Sequence, residues 1–410
     1  MDKIFFYDPL TDKLISYKIF LDHLNNLNHL EKIVYHSDFY EIFLRIVSSI
    51  LYNQPIILLD YNLTDFEIKE LLGQINLKDT VEIKFKKVFN EEDIKNLRSY
   101  AKNWEIILFT SGTTGLPKRV SHSFENLIRA VKVSEKHKDD VWGLAYNPTH
   151  IAGLQVFFQA LLNQNSIINL FNVNRNLIFE LIERFKITHL SATPTFYRLL
   201  LPVEKKFTSI KSVACGGERF DNNLKLHLQA MFPNAKIINI YATTEFGSLF
   251  ASDGDAFLLK KEYENLVKIV DNEIYVHKNL LGKSVEINLV DDFYPTGDQV
   301  EVIDEKPLKF KILGRKNEMI NIGGYKVNPL EIEEALNSHP CVIMSKVYCK
   351  TNSVLGNILI ADIKTNSEIN EKEIRIYLSK LLNSYKIPRI ININVNDEIS
   401  ITRTGKLKRR

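Results

Sequence analysis

The chain has 410 residues, too many for one ordinary hydrophobic core, so its length points to two or three domains. With 45% hydrophobic and 25% charged residues it has a globular composition, and a net charge of only +3 offers no global field for nucleic acid or a membrane surface. Cys215, Cys341 and Cys349 form no CxxC metal pair and cannot make a full disulfide framework, which leaves reduced thiols and a cytoplasmic setting as the simplest reading.

Met1 to Lys13 carries charges and Pro9 where a signal peptide needs an apolar core. The apolar stretch 46–59 is broken by Asn53, Gln54 and Pro55 and cannot span a bilayer. Helix-period spacing predicts a helix over 39–52, and 55–59 has a short buried-strand pattern. Thr64 to Glu67 is a capping box that opens another helix, with Gly73 placed to close it. From Trp104 to Tyr241 strands and helices alternate. Strands are expected at 106–109, 141–146, 166–171, 189–192, 209–214 and 236–241, and helices at about 124–137, 176–185 and 221–231. Such alternation implies parallel βαβ units. The texture then changes to close-spaced strands at 267–270, 273–277, 285–290, 299–303 and 309–313, an antiparallel or barrel-like piece. After Gly314-Arg315 comes a smaller α+β unit, with a helix start at Asn328-Pro-Leu-Glu331 in which Asn328 caps, Pro329 takes the first helical position and Glu331 completes a capping box. The expected fold class is therefore α/β: a large domain over 1–315, and a small mobile α+β domain over 316–410.

The most informative segment is Ile107 to Lys118, an apolar strand that runs into Thr110, Ser111, Gly112, Thr113, Thr114 and Gly115. Glycines let a backbone approach a polyanion and aim its N–H groups at it. The four hydroxyls add donors, and Lys118 adds a point charge suited to phosphate oxygens. The spacing is not that of a Walker loop.

The whole run resembles the signature loop of adenylate-forming enzymes, the superfamily of acyl-CoA synthetases, luciferases and peptide-synthetase adenylation domains. Further segments follow in the family's order across 104–410: Cys215-Gly-Gly-Glu218, Tyr241-Ala-Thr-Thr-Glu245, Tyr294-Pro-Thr-Gly-Asp298, Gly314-Arg315 with Ile322 to Glu331, and Thr402-Arg-Thr-Gly-Lys406. The resemblance implies roles that suit each residue type. Gly216, Gly217 and Glu218 would line the adenine pocket and Tyr241 would stack on the base. Glu245 would ligate Mg²⁺. Thr244 would donate to the α-phosphate, Asp298 would accept from the ribose hydroxyls, and Arg315 would donate toward the same ribose. Lys406 would stabilise charge where the carboxylate attacks. Taken singly, Tyr241 is equally well a core aromatic, Asp298 a turn residue, and Lys406 part of a solvated tail.

Arg119, Ala242 and Ser400 depart from the pattern without removing a group the chemistry requires. The loop starts near residue 110, earlier than in most relatives, so a reduced N-terminal subdomain is expected. Pro148 to Gly153 aligns with the acyl pocket, and His150 sits where relatives gate the carboxylate. Ile151 falls where amino-acid-activating relatives place an Asp, which argues against an α-amino acid. The implied activity is ATP- and Mg²⁺-dependent activation of a carboxylic acid, followed by transfer to a thiol. That thiol is coenzyme A or the phosphopantetheine of a separate acyl carrier protein. A non-catalytic nucleotide-binding module of the same fold is the rival from a different class.

Overall fold

The computed structural model describes residues 3–73, 77, 79–110, 118–322, 325–352 and 356–393. The loop residues 111–117 and the segment with Lys406 lie outside them.

Where strands and helices alternate, the chain builds an eight-stranded sheet. Lys236–Thr243, Ser212–Gly216, His189–Ala192, Val141–Leu144, Ser166–Asn169 and Ile4–Asp8 lie in that order and run parallel. Gly247–Ser252 and Lys13–Ser16 close the two edges antiparallel. A second sheet sets Ile33–Val34, Ile56–Leu58 and Glu105–Phe109 parallel, with Arg119–Ser123 folded back on the last. Between the sheets lies the helix Phe39–Leu51, apolar nearly all round and with eleven of its thirteen residues buried. Its Phe43 stacks on Phe157 of the helix Ile151–Leu162 at 4.2 Å between ring centroids. Trp104 is buried beside it and donates its indole N–H to Ser49.

The barrel-like piece takes the form of an open five-stranded antiparallel sheet, ordered Ala256–Leu258, Leu308–Arg315, Phe293–Glu305, Glu273–His277 and Val267–Val270. Beyond it a smaller C-terminal domain has its own core of Val327, Ile332, Leu336, Val347, Leu359 and Ile374. Its three-stranded sheet is Val342–Asn352, Gly356–Thr365 and Ile390–Ile393. The capped helix starts where expected, with Asn328 accepting from the Leu330 N–H and Pro329 opening Pro329–Asn337, but Glu331 completes no capping box, since both its oxygens accept from the Lys386 ammonium instead.

Two expected elements differ. The helix expected over 124–137 stops at Ile128, and only a 3₁₀ turn, Glu135–His137, follows. Val131 still packs on the core at helical spacing, but Val133 is exposed and the sequence is polar from Ser134 to Asp140. The strand expected over 285–290 does not form. Val285 is 95% exposed, and pairing there is confined to isolated bridges between Ser121 and Lys283 and between Val290 and Phe293. No helix among the described residues is long and apolar enough to cross a membrane.

Candidate active site

The site is assembled at the carboxyl ends of the parallel strands, where such sheets open a crevice. Thr110 and Lys118 bracket the signature loop. The Thr110 N–H donates to the Lys118 carbonyl at 2.9 Å, and the Lys118 N–H donates to the Thr110 hydroxyl at 3.1 Å. This closes the base of the loop as a continuation of the hairpin below it. Ser111, Gly112, Thr113, Thr114 and Gly115 lie outside the described residues, as does Lys406.

Tyr241 ends the strand Lys236–Thr243 and meets Asp298 of the antiparallel sheet. Its hydroxyl donates to Asp298 Oδ2 at 2.6 Å. Arg315 Nε lies 3.3 Å from Oδ1, on the strand paired with that of Asp298. Below them Gly297, at φ +77°, makes the turn of the Thr-Gly-Asp motif and donates to Glu273. Thr296 donates to the Ile274 carbonyl and accepts from the Asp298 N–H. Burial pushes the Asp298 carboxyl above its ordinary range, and Arg315 and the Tyr241 hydroxyl counter this. Burial likewise pushes the Tyr241 hydroxyl up. The Tyr241 ring packs among Phe246, Phe250 and Phe257, so it is both a core aromatic and the brace of Asp298. A register shift between Tyr241 and Ala242 marks the strand end. Ala242 keeps φ outside the left-handed region, which explains why a residue with a Cβ is accommodated there.

Glu245 sits in the turn between Lys236–Thr243 and Gly247–Ser252. It is buried, yet its carboxylate makes no hydrogen bond and no ion pair with any described residue. Its charge is felt at Asp298, Arg315 and Tyr294. A carboxylate without a partner among the described residues has its lone pairs free for a divalent cation that takes hard oxygen ligands, so Glu245 fits Mg²⁺. The turn is held by backbone contacts that sequence reasoning missed. His122 Nε2 lies 2.7 Å from the Thr244 carbonyl, and the Gly282 N–H donates to the Glu245 carbonyl at 2.7 Å. Arg129 donates to the carbonyls of Phe246 and Leu280. Gly282 is needed because a Cβ there would stand 2.6 Å from Val120 and 2.7 Å from His122. Burial holds the His122 pKa down, so the ring is neutral, with Nε2–H donating and Nδ1 left without a partner. Nothing in the sequence Ser-His-Ser marks that histidine.

Gly216 ends the strand next to that of Tyr241, its carbonyl 3.4 Å from the Tyr146 hydroxyl. Gly217 turns at φ +84° and is exposed, and Glu218 accepts from the Thr195 N–H at 2.9 Å. His150 stands immediately before the helix Ile151–Leu162. Its Nε2 lies 3.3 Å from Oδ2 of the buried Asp60, which also accepts from Asn147 at 3.1 Å. Asp60 is a second residue the sequence did not signal, since it belongs to the other sheet, 90 positions away. Gln155 of the same helix accepts from Ser248, and so ties His150 to the hairpin that bears Glu245. Thus Tyr241, Thr244, Glu245, Asp298 and Arg315 are gathered in one corner. Thr110 and Lys118 stand together at the loop base, and His150 has its own buried partner.

The family model for AMP-binding enzymes matches residues 64–287, more than half of the chain. The chain belongs to the AMP-binding enzyme family. It is 24% identical over 381 residues to a 2-succinylbenzoate–CoA ligase of Listeria monocytogenes, covering 86% of this chain and 79% of that protein. It is 28% identical over 345 residues to 4-coumarate–CoA ligase-like 9 of Arabidopsis thaliana, covering 74% and 60%. Its fold is similar to that of the o-succinylbenzoate CoA synthetase of Bacillus subtilis with its acyl-adenylate intermediate, at TM-score 0.71 and 19% identity over 100% of this chain and 94% of that one. ATP-bound MatB of Rhodopseudomonas palustris gives 0.73 and 19%, over 99% and 94%. The expected class, an ATP-dependent, AMP-forming carboxylate–thiol ligase with a large and a small domain, therefore stands.

Proposed function

We propose that this enzyme activates a small aryl or acyl carboxylic acid as its acyl-adenylate, expels pyrophosphate and passes the acyl group to coenzyme A. The observation that carries the reading is the contrast inside one corner: Asp298 is braced from two sides, while Glu245 has no side-chain partner among the described residues. The first suits a ribose-binding acceptor with lone pairs to spare. The second suits a residue completed by a metal–nucleotide complex.

In this reading the ribose hydroxyls donate to Asp298 beside Arg315, and Tyr241 offers its ring to the adenine beyond Gly216 and Gly217. The Thr244 hydroxyl, which spends itself on no described residue, donates to the α-phosphate. Glu245 would hold Mg²⁺, which would supply positive charge against the repulsion of the incoming carboxylate. Lys118 and the loop it closes hold the outer phosphates, and Lys406 stabilises charge at the α-phosphorus as it is attacked. His150, fixed by Asp60, stands at the acyl end. Ile151 is buried in the apolar core and offers no partner to an α-ammonium group. Relatives named for 2-succinylbenzoate and 4-coumarate support an aryl acid. The free thiols of Cys215, Cys341 and Cys349 support a reducing, cytoplasmic setting.

For the second half-reaction the small domain turns about the 3₁₀ segment Lys316–Glu318 and withdraws Lys406. Its docking on the large domain is polar and light, which suits repeated release. Arg219 pairs with Glu334 at 2.5 Å, Asn223 donates to the Asn337 carbonyl, and Asn328 donates to the Leu313 carbonyl.

The test is carboxylate-dependent exchange of pyrophosphate into ATP over a panel of aryl, short acyl, hydroxyacyl and amino acids. Thioester formation then follows with coenzyme A and, separately, with a phosphopantetheinylated carrier protein. Exchange with an aryl acid and transfer to coenzyme A is expected. Exchange confined to amino acids would overturn the substrate class, and transfer to the carrier protein alone would overturn the acceptor.

A further inference from the structure

At the amino ends of the parallel strands, the end of the sheet away from Tyr241 and Gly216, a second constellation has no part in the ligase chemistry. Asp140 lies just before Val141–Leu144 and is 4% exposed. Its two oxygens face two imidazoles. Nδ1 of His137, in the 3₁₀ turn Glu135–His137, is 2.8 Å from Oδ2, and Nδ1 of His189, first residue of the neighbouring strand, is 3.6 Å from Oδ1. The three ligand atoms all lie within 4.8 Å of one another. In a tetrahedral zinc site with bonds of about 2.0 Å, ligand atoms stand roughly 3.4 Å apart, so only small rotations separate this arrangement from a closed one.

The surroundings favour a cation. No lysine or arginine forms an ion pair with Asp140 among the described residues. Lys3, whose ammonium acts on Asp140, spends its Nζ on the Lys138 carbonyl at 2.7 Å, and the Lys211 ammonium acts on His189. The scaffold is rigid: the Asp140 N–H donates to the His137 carbonyl, the His189 ring stacks on Trp142 at 4.7 Å, and the side chain of Asn165 donates to the His137 carbonyl. His137 is part-exposed and leaves one side open to solvent. We infer that His137, Asp140 and His189 form a binding site for a divalent first-row transition metal, Zn²⁺ by the character of its ligands. Two imidazole nitrogens and one carboxylate suit Zn²⁺ and not the hard cations Mg²⁺ and Ca²⁺. On binding, His189 Nδ1 leaves the Thr188 hydroxyl, 2.8 Å away, and that hydroxyl keeps the Val141 carbonyl as its acceptor. The ion cross-links two neighbouring strands and the turn that leads into the first of them, far from the nucleotide, so its effect falls on stability.

The experiment uses the full-length protein stripped with a chelator and dialysed into chelator-free buffer. Stoichiometric Zn²⁺ is expected to raise Tm by about 5 °C, with no effect from an equal concentration of Mg²⁺. Co²⁺ in its place is expected to show the visible bands of a tetrahedral nitrogen–oxygen site. His137→Gln, a change at the part-exposed ligand, is expected to abolish both responses, each judged against the variant's own metal-free Tm because the contact to Asp140 goes with the ring. An unchanged wild-type Tm with Zn²⁺ and no Co²⁺ spectrum would reduce the cluster to a hydrogen-bonded His–Asp–His clamp and overturn the inference. So would a Zn²⁺ response that survives His137→Gln, since it would then arise at another group, such as the exposed Cys349.

Discussion

The antiparallel sheet that carries Asp298 and the hairpin turn that carries Glu245 meet in one corner and treat their carboxylates oppositely. Asp298 is held by a phenol and a guanidinium before any ligand arrives. Among the described residues Glu245 is fixed through its backbone, and its side chain has no hydrogen-bond or ion-pair partner. The difference teaches what each is for. A pre-paired carboxylate is a positioned acceptor whose removal disturbs the fold. A bare one is a vacancy for charge whose removal costs function and spares the fold.

Glu245→Gln sharpens this most. Activity is expected to fall roughly 10²–10³-fold, the scale of losing one preorganised electrostatic group, with Tm unchanged or raised because an unpaired buried charge is gone. Pyrophosphate-exchange rates and a thermal melt check both, and a lowered Tm would show that Glu245 has a structural partner after all. Asp298→Ala should do the reverse. It leaves Arg315 and the Tyr241 hydroxyl without their acceptor, so a stability loss of about 2 kcal/mol is expected by urea titration, along with a raised KM for ATP. Tyr241→Phe removes one charge-assisted hydrogen bond and should cost about 1.5 kcal/mol. It should raise KM for ATP more than it lowers kcat, because the ring remains; an equal fall in kcat would assign the hydroxyl to the reaction itself.

The smallest effect concerns the support of the bare carboxylate. The folded state holds His122 below its ordinary pKa, so the unfolded chain binds its proton first as pH falls. Stability is thereby lost below about pH 6.5, by at most about 1.4 kcal/mol per pH unit. Denaturant midpoints at pH 7 and 5.5 should differ less in His122→Gln than in the wild type. An unchanged difference would mean that the ring is not neutral in the fold.

What could be read from sequence follows the range of the interactions. The capping box at Thr64 and the cap at Asn328 form as expected because every contact they need lies within three residues. The motif residues Tyr241, Asp298 and Arg315 were visible by type, but their mutual bonding was not, since 57 positions separate Tyr241 from Asp298. The run Ile4 to Tyr7 has the composition of a strand, but its place in the sheet is set by Ser166–Asn169, with Asp8 accepting from Asn169 across 161 positions. Val285 to Val290 has the composition of a strand and no neighbour to pair with, so propensity failed there. Asp60 and His122 were invisible for a related reason. Each acts by filling a gap in another segment, and a single aspartate or histidine carries no pattern.

Arg315 belongs to two units at once. It is the last residue of the strand Leu308–Arg315, and the chain passes from it through Lys316–Glu318 into the small domain. In the proposed function a nucleotide bears on Arg315 and the small domain hangs from it, so the two share an anchor and thermodynamic linkage makes their influence mutual: whatever factor the nucleotide imposes on the balance of domain orientations, the orientation imposes on nucleotide affinity. An enzyme built this way needs no separate sensor to tell the small domain which half of its cycle it is in.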